Sequence, residues 1–209
     1  LPLCHIAERM ASVFNPLAVG LVVHFPEDST TVFNDLREVE PQVLFAPPRF
    51  WEKLHSQVEL FLRDAIAPAR WAWQRALQDA QARLEPALRG EPVAAPGPLE
   101  RLLGLAAFAN VRSFLGLARV KTALTGAAPV PPDLIRWYLA LGVELREAFG
   151  MTELGSATCM PLEVEDMTGS GSCGIAGPFR QCKVVDPQGN EVPVQLDETA
   201  LTVIALRDH

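Results

Sequence analysis

The chain has 209 residues, of which 49% are hydrophobic and 21% charged, and its net charge at neutral pH is −7. This length and composition suffice for one large domain, or two small ones, with a hydrophobic core. The acidic balance argues against a nucleic-acid partner, which needs a basic surface, and no segment approaches the roughly 20 apolar residues that cross a bilayer.

The N-terminal residues and the cysteines indicate a cytoplasmic protein. Glu8 and Arg9 stand where a secretory signal peptide has its apolar core, and the sequence begins without Met, so we expect an internal piece of a longer protein. No two cysteines have Cys-x-x-Cys spacing, which favours reduced thiols over a metal site and leaves disulfides open. The cysteines are Cys4, Cys159, Cys173 and Cys182.

The N-terminal part alternates between helical and strand patterns. Apolar residues at helical spacing predict a helix over 5–20 that ends at Gly20. The runs LVVHF (21–25) and QVLFA (42–46) predict buried strands, and 27–41 between them predicts a helix of about three turns. Strand, helix and strand at this spacing predict a βαβ unit in a parallel sheet.

The middle of the chain is mostly helical. A long helical tract covers 49–90, and Pro68 must break or kink it. Pro and Gly in 90–98 predict a loop, and 99–117 predicts another helix.

Two further strands flank a helix. RVKTAL (119–124) predicts a strand that ends in the turn 125–132. An N-terminal Asp cap and a C-terminal Gly bound a helix over 133–142, and VELREAF (143–149) predicts the next strand.

After residue 160 the composition changes. The stretch 168–178 is Gly-rich, and 181–194 and 200–206 contain short β runs with a tight turn. They predict a small antiparallel or barrel-like β segment. The predicted fold class is therefore α/β, with a largely parallel sheet, flanking helices and this β segment at the C-terminal side.

The turn TGAAP (125–129) is the first candidate binding feature. Gly126 permits unusual backbone angles, and Ala127 and Ala128 have no bulk, so the backbone can approach a flat ligand closely. The alternative interpretation is an ordinary turn before a helix.

The motif FGMTE (149–153) is the second candidate. Phe149 suits stacking on a purine ring, and Gly150 allows a sharp turn after the strand. Thr152 offers a hydroxyl to phosphate, and Glu153 offers the hard oxygen ligand that Mg²⁺ prefers. The alternative is a strand-to-helix turn in which Thr152 caps the helix and Glu153 lies in its first turn.

Three other features have a functional and a structural interpretation. His5 can line a pocket or serve a structural role. Trp51 reads most simply as part of the start of an amphipathic helix. The stretch APARWAWQRAL (67–77) predicts a packed helix, with contact to a lipid surface as the alternative.

Four stretches carry a family resemblance when they are taken in order. They are LPLCHIAER (1–9), LREVEPQVLFAPPRFWEKL (36–54), LTGAAPVPPDLIRWYLALGVELREAFGMTE (124–153) and GSCGIAGPFRQCKVVDPQGNEVP (171–193). Together they closely resemble the adenylate-forming, AMP-binding enzyme superfamily, and more narrowly its bacterial long-chain fatty acid–CoA ligases. The resemblance covers nearly the whole chain.

The resemblance implies an ATP-dependent acid–thiol ligase with ATP, CoA and a fatty acid as substrates and Mg²⁺ as cofactor. A carboxylate attacks the α-phosphate of ATP to give an acyl-adenylate, and the CoA thiol then takes the acyl group. It also implies that 1–168 is part of the AMP-binding α/β domain, with a helical insertion at about 48–117, and that 169–209 begins a β-rich subdomain.

Carried over by position, the resemblance assigns roles to individual residues. Thr152 contacts phosphate, Glu153 holds Mg²⁺ and takes part in catalysis with Thr152, and His5 lies near the acyl-binding tunnel. Phe149 stands where the family often has Tyr, which puts any hydrogen bond at that position in doubt. The implied nucleotide-binding residues are Gly126, Ala127, Ala128, Pro129, Glu147, Ala148, Phe149, Gly150, Met151 and Thr152.

Several parts that the superfamily needs are not found in the sequence. They are the Ser/Thr/Gly-rich phosphate loop, the ribose-binding Asp and the small C-terminal domain with its catalytic Lys. We therefore expect the isolated chain to be inactive. Two alternatives stay open: an adenylation module for amino acids or other carboxylates, and a non-catalytic homologue. The expected partners are small-molecule substrates, with at most peripheral contact to a membrane.

Overall fold

A five-stranded mixed sheet organises the protein. The computed structural model describes residues 4–154, 156–161, 167, 174–177, 182–184, 186, 188–190 and 204–206. The strands of this sheet lie in the order β1-β2-β3-β4-β5. They are β1 (Val43–Ala46), β2 (Thr122–Gly126), β3 (Leu145–Met151), β4 (Ser156–Met160) and β5 (Ile175–Ala176).

The sheet changes direction at β3. The pairs β1–β2 and β2–β3 are parallel, whereas β3–β4 and β4–β5 are antiparallel. A separate antiparallel pair joins β6 (Cys182–Val184) to β7 (Ile204–Leu206). The α/β fold class with flanking helices and a C-terminal antiparallel β segment is therefore confirmed.

Seven α-helices lie among the described residues outside the strands. A π-helical turn, Met10–Phe14, separates the first two, and Gly20 ends the second in a left-handed conformation, as predicted. The helices are α1 (Ile6–Arg9), α2 (Asn15–Val19), α3 (Val32–Val39), α4 (Pro48–Arg63), α5 (Ala67–Leu88), α6 (Pro98–Phe114) and α7 (Pro132–Ala140).

Proline marks where the longer helices begin. Each of α4 to α7 has Pro in its first two positions, where the missing N–H costs no intrahelical hydrogen bond. Pro68 accordingly is the second residue of α5, which follows a break at 64–66, so the predicted interruption of the helical tract is confirmed.

Four rings on three helices form the aromatic cluster Trp51, Trp73, Trp137 and Tyr138. Trp51 on α4 and Tyr138 on α7 are fully buried, with ring centroids 5.1 Å apart. Trp51 Nε1 donates to the Ala46 carbonyl at 3.1 Å, and the Tyr138 hydroxyl donates to the Trp51 carbonyl at 2.7 Å. Burial raises the pKa of the Tyr138 phenol far above its usual range. The cluster therefore fixes α4 and α7 against the end of β1.

The predicted strand at 21–25 is wrong. Residues 21–26 have no regular structure, and Val22 and Phe25 are 81% and 66% exposed. An apolar run forms a strand only where a neighbouring strand takes its backbone hydrogen bonds, and the described chain provides none here. The βαβ unit predicted from this segment is absent, and the parallel partner of β1 is β2, which follows three helices later.

Other boundaries shift by a few residues. β2 and β3 each begin and end two or three residues later than predicted, and β3 runs through Gly150. Of the C-terminal β runs, β6 and β7 are present, and the one at 191–194 lies outside the described residues. The division into 1–168 and 169–209 stays a prediction.

Candidate functional site

The two candidate motifs lie side by side at the carboxyl ends of neighbouring parallel strands. TGAAP begins in the last two residues of β2, FGMTE begins in the last three residues of β3, and the register pairs Thr125 with Glu147 and Gly126 with Ala148. Ligands of open α/β sheets bind outside the carboxyl ends of the strands. We call residues 126–130 and 147–153 the strand-end site.

Close contact between the two strands requires Gly126. A Cβ built on Gly126 would lie 2.7 Å from the Ala148 carbonyl oxygen, well inside van der Waals contact. The next residue, Ala127, has φ of 68°, a left-handed conformation that L-residues other than Gly and Asn rarely adopt. Ala127, Ala128 and Pro129 are exposed, as a surface offered to a ligand must be.

Glu147 is the half-buried acid of the strand-end site. Burial raises the pKa of its carboxyl, and a hydrogen bond donated by the Val130 backbone N–H opposes that shift. Thr125, its register partner on β2, is fully buried, and its Oγ1 has no hydrogen-bond partner among the described residues. The half-buried Glu147 carboxylate of the site therefore lies beside a buried Thr125 hydroxyl that has no hydrogen-bond partner among the described residues.

The FGMTE segment is a bulged strand end. The β3–β4 register shifts between Phe149 and Gly150, and a β-bulge of this kind re-aims neighbouring side chains. Thr152–Leu154 forms one 3₁₀ turn that contains Glu153, after which β4 returns antiparallel, so the helix of the alternative interpretation is present only as this single turn. Phe149 is half-buried and has no aromatic neighbour within the described part of the chain.

The exposed Glu153 suits a metal that a nucleotide helps to bind. Its side chain makes no ion pair with any described residue. The described residues also contain no group of three or more His, Cys, Asp or Glu side chains that would form a protein-only metal site. A single free carboxylate fits Mg²⁺, which takes one or two protein carboxylates together with substrate phosphates.

The structure does not bring His5 into the strand-end site. His5 precedes α1, and its Nδ1 accepts a hydrogen bond from the Ala7 N–H at 3.2 Å, so it caps that helix. α1 contacts β4, one strand beyond the site. A hydrogen bond therefore supports the structural interpretation of His5, and its acyl-tunnel role stays a prediction.

Sequence reasoning missed two residues that matter here and placed a third correctly. Trp51 was predicted at the start of an amphipathic helix; it lies in the first turn of α4 and is fully buried. Thr125 and Val130 flank the turn but were given no role, although both are buried. A clue for Thr125 was available, because a polar residue inside an apolar strand needs a partner.

Three further observations concern other parts of the molecule. The described helices include none that is both long and apolar enough to pass through a membrane. Trp71 in the stretch 67–77 is 60% exposed, whereas Trp73 packs in the aromatic cluster. Cys4 is exposed and Cys159 is buried, and neither forms a disulfide with a described cysteine.

Comparison with known proteins places this geometry in a family. The family model described as AMP-binding enzyme matches residues 1–199. A putative fatty-acid–CoA ligase FadD11 of Mycobacterium tuberculosis is 32% identical over 193 residues, which are 89% of this chain and 33% of that protein. A long-chain-fatty-acid–CoA ligase ACSBG2 of Xenopus laevis is 28% identical over 91% of this chain and 26% of its own length.

A solved structure shares the fold. The anthranilate CoA ligase AuaEII, determined with anthranoyl-AMP, superposes with a TM-score of 0.57 at 16% identity, covering 99% of this chain and 30% of that one. The chain thus spans a third or less of the length of these relatives. With the model match over nearly the whole sequence and 32% identity to FadD11, the chain belongs to the AMP-binding enzyme family.

Proposed function

We propose that this chain supplies the adenine and Mg²⁺ side of the ATP site of a fatty acid–CoA ligase. The register of β2 and β3 carries the proposal, because it brings the TGAAP turn beside the EAFGMTE segment at the carboxyl edge of the parallel strands. Membership of the AMP-binding family supports a nucleotide as the ligand.

The apolar part of the site would hold the adenine ring. The turn residues Ala127, Ala128 and Pro129 present small exposed surfaces on one side. Phe149, with no ring neighbour among the described residues, would stack on the purine from β3. Backbone groups of Gly126, Glu147, Ala148, Gly150 and Met151 would complete the wall.

The polar part of the site would position the phosphates. Thr152 and Glu153 lie exposed in the 3₁₀ turn, so a hydroxyl and a carboxylate extend from the same short segment. Glu153 would hold Mg²⁺, which neutralises phosphate charge as the carboxylate substrate attacks. Such a reaction depends on in-line positioning and charge neutralisation more than on a protein nucleophile.

The proposed reaction forms an acyl-adenylate and then an acyl-CoA. A carboxylate oxygen attacks the α-phosphorus of ATP and pyrophosphate leaves; the CoA thiol sulfur then attacks the acyl carbon, losing its proton, and AMP leaves. The fatty-acid names of the relatives support a fatty acid as the acid substrate. His5 beside the acyl chain, the domain division at residue 168 and a cytoplasmic location with at most peripheral membrane contact belong to this proposal.

Pyrophosphate exchange tests the function directly. The protein that carries this chain should incorporate labelled pyrophosphate into ATP when a C12 to C18 fatty acid and Mg²⁺ are present, and should form acyl-CoA when CoA is added. Anthranilate and amino acids serve as comparison acids at equal concentration. Exchange with an amino acid alone, or ATP binding without exchange with any acid, would contradict the fatty-acid ligase assignment. We expect no exchange by the 209 residues alone.

A further inference from the structure

A cavity of about 450 Å³ lies between α3 and α4, within the roughly 300–1,000 Å³ that is typical of small-molecule sites. Each helix turns one face to it, with residues spaced three and four apart. Because α3 and α6 lead into the amino ends of β1 and β2, the cavity lies away from the strand-end site at the carboxyl ends. We call this space, which Arg37, Gln57, Leu60, Phe61 and Phe114 help to line, the α3–α4 cavity.

Arg37 supplies the cavity with a guanidinium that is fixed in place by uncharged groups. Its Nε donates to the Phe114 carbonyl at 2.6 Å, and its Nη2 donates to Gln57 Oε1 at 3.3 Å. Its Cζ lies 4.5 Å from the centroid of the Phe114 ring. Arg37 forms no ion pair with a described residue. A half-buried cation without a counter-ion favours an anion from outside the protein.

The hydrogen-bond donors around Arg37 match a carboxylate. Its Nη1 has no hydrogen-bond partner in the described part of the chain, so this end of the guanidinium is available to a ligand. Because Gln57 Oε1 accepts from Arg37, the Gln57 amide turns its N–H groups elsewhere and is a further donor. A guanidinium binds a carboxylate with two parallel hydrogen bonds, and such charge-assisted pairs are the strong ones.

The apolar wall of the cavity suits an aliphatic chain more than a flat ring. Phe61 stacks on Phe114 with ring centroids 4.7 Å apart, and Phe114 also contacts Arg37. Phe33 stacks on another ring of α4. These contacts occupy ring faces that an aromatic ligand would need. Leu60 and Phe61 remain 59% and 50% exposed, which leaves apolar surface for methylene groups.

Asp64 limits the ligand to one negative charge. It follows the last turn of α4, seven residues beyond Gln57 and therefore roughly 10 Å farther along the helix axis. Its carboxylate lines the cavity, is exposed and forms no ion pair with a described residue. A second anionic group at the far end of the ligand would be repelled there. The cavity thus combines a carboxylate site at one end with an apolar path to an acidic rim.

We propose that the α3–α4 cavity binds an aliphatic monocarboxylate, with its carboxylate on Arg37 and Gln57 and its hydrocarbon chain along Leu60 and Phe61. This site is separate from the strand-end site, and binding there does not depend on the proposed function.

Photolabelling locates the ligand in the protein that carries this chain. The probe is dodecanoate with a diazirine in the middle of its chain, and peptide mass spectrometry identifies the labelled residues. Label should appear within 57–64, and the methyl ester of the probe should label this segment at least about fivefold less, because it lacks the charge that the guanidinium binds. Label confined to other parts of the protein, or equal labelling by the ester, overturns the proposal.

Matched variants test the two ends of the site through the labelling of 57–64. In Arg37→Gln, half-maximal labelling should need about tenfold more probe, as loss of a charge-assisted hydrogen bond predicts. Arg63→Gln, at an exposed position of α4 outside the cavity lining, should leave it unchanged. Leu60→Asn should raise it about threefold, whereas Leu102→Asn, on the exposed face of α6, should not. Unchanged labelling in Arg37→Gln overturns the proposal; if that variant does not fold, unchanged labelling in Leu60→Asn does so.

Competing acids test the aliphatic chain and the single charge. Dodecanoate should suppress the label at least about fivefold better than dodecanedioate, and Asp64→Asn should reduce that difference. Dodecanoate should also compete better than naphthoate. Equal competition by dodecanedioate or by naphthoate would overturn the assignment of an aliphatic monocarboxylate.

Pyrophosphate exchange separates this site from the proposed ATP site. Fatty-acid-dependent exchange should persist in Arg37→Gln although labelling of 57–64 falls. Loss of both together would show that the cavity is the substrate site itself and would overturn the proposal of a separate site. If wild type is labelled at 57–64 but exchanges no pyrophosphate with any acid, the cavity assignment stands and the proposed function fails.

Discussion

The aromatic cluster and the strand-end site place their side chains in opposite environments. In the cluster, Trp51 and Tyr138 are fully buried, and the indole and phenol groups each donate to a backbone carbonyl. In the strand-end site, Thr152 and Glu153 are exposed, and Glu153 forms no ion pair with a described residue. The contrast separates residues that stabilise the fold from residues that are left free for a ligand. Variants in the two regions should therefore change different measurements.

Removing the centre of the aromatic cluster should have the largest effect. We expect Trp51→Ala to lower the free energy of unfolding by about 3–5 kcal/mol, since it leaves a cavity and removes the contact to Ala46 and Tyr138. Denaturant unfolding measures this change. Trp71→Ala is the matched control, because Trp71 is 60% exposed, and should cost less than about 1 kcal/mol. An equal loss of unfolding free energy in both variants would show that burial in the cluster contributes no more to stability than a surface position does.

Glu153 should show the reverse behaviour. We expect Glu153→Gln to lower fatty-acid-dependent pyrophosphate exchange more than about tenfold at fixed Mg²⁺, which corresponds to 1.4 kcal/mol of transition-state stabilisation. The free energy of unfolding should change by less than about 0.5 kcal/mol, because the side chain is exposed. Activity within a factor of about two of wild type would make the metal role wrong.

The same contrast explains what could be predicted from the sequence. Helices α4 to α7 follow local rules, with apolar periodicity and a proline at each start, and their positions were predicted closely. The run at 21–25 is as short, apolar and typical of a buried strand as the run at 42–46. Only the second finds a parallel partner, and that partner is more than seventy residues away. The residues of neither segment predict which distant strand it pairs with.

The strand-end site also depends on strand pairing that the local sequence does not predict. Each motif was recognisable by its residues, but the bulge at Phe149 and the antiparallel return of β4 depend on strand pairing. The close approach of Gly126 to the Ala148 carbonyl likewise depends on the pairing of β2 with β3. Sequence reasoning therefore found most residues of the strand-end site and could not assign which of them hold the others in place.

A variant at Thr125, next to the strand-end site, shows whether this buried residue affects the stability of the fold or the binding of nucleotide. Its buried hydroxyl has no partner among the described residues, and an unsatisfied buried polar group destabilises a fold. We expect Thr125→Val to raise the free energy of unfolding by about 1 kcal/mol, measured by denaturant unfolding, with nucleotide binding unchanged. Thr122→Val, on the same strand but only half-buried, should change it by less than about 0.5 kcal/mol. Destabilisation by Thr125→Val would show that the hydroxyl is hydrogen-bonded in solution.

The smallest expected effect is on the pH dependence of stability. It tests whether Glu147 is partly shielded from solvent, in contrast to the exposed residues of the strand-end site. Burial raises the pKa of Glu147 in the folded protein above its ordinary value of 4.5, so the folded state binds the proton more tightly than the unfolded state does. Its contribution to stability is therefore fully present below pH 4.5 and is lost as the pH rises through the folded pKa. Glu147→Gln has no such proton, so its free energy of unfolding should fall less than that of wild type when the pH is raised from 4.5 to neutral. Glu144→Gln, which changes an exposed carboxylate, should follow the wild-type slope. A Glu147→Gln slope equal to or steeper than that of wild type would show that the carboxylate is as well solvated in the fold as in the unfolded chain, and would place Glu147 with the exposed residues of the strand-end site.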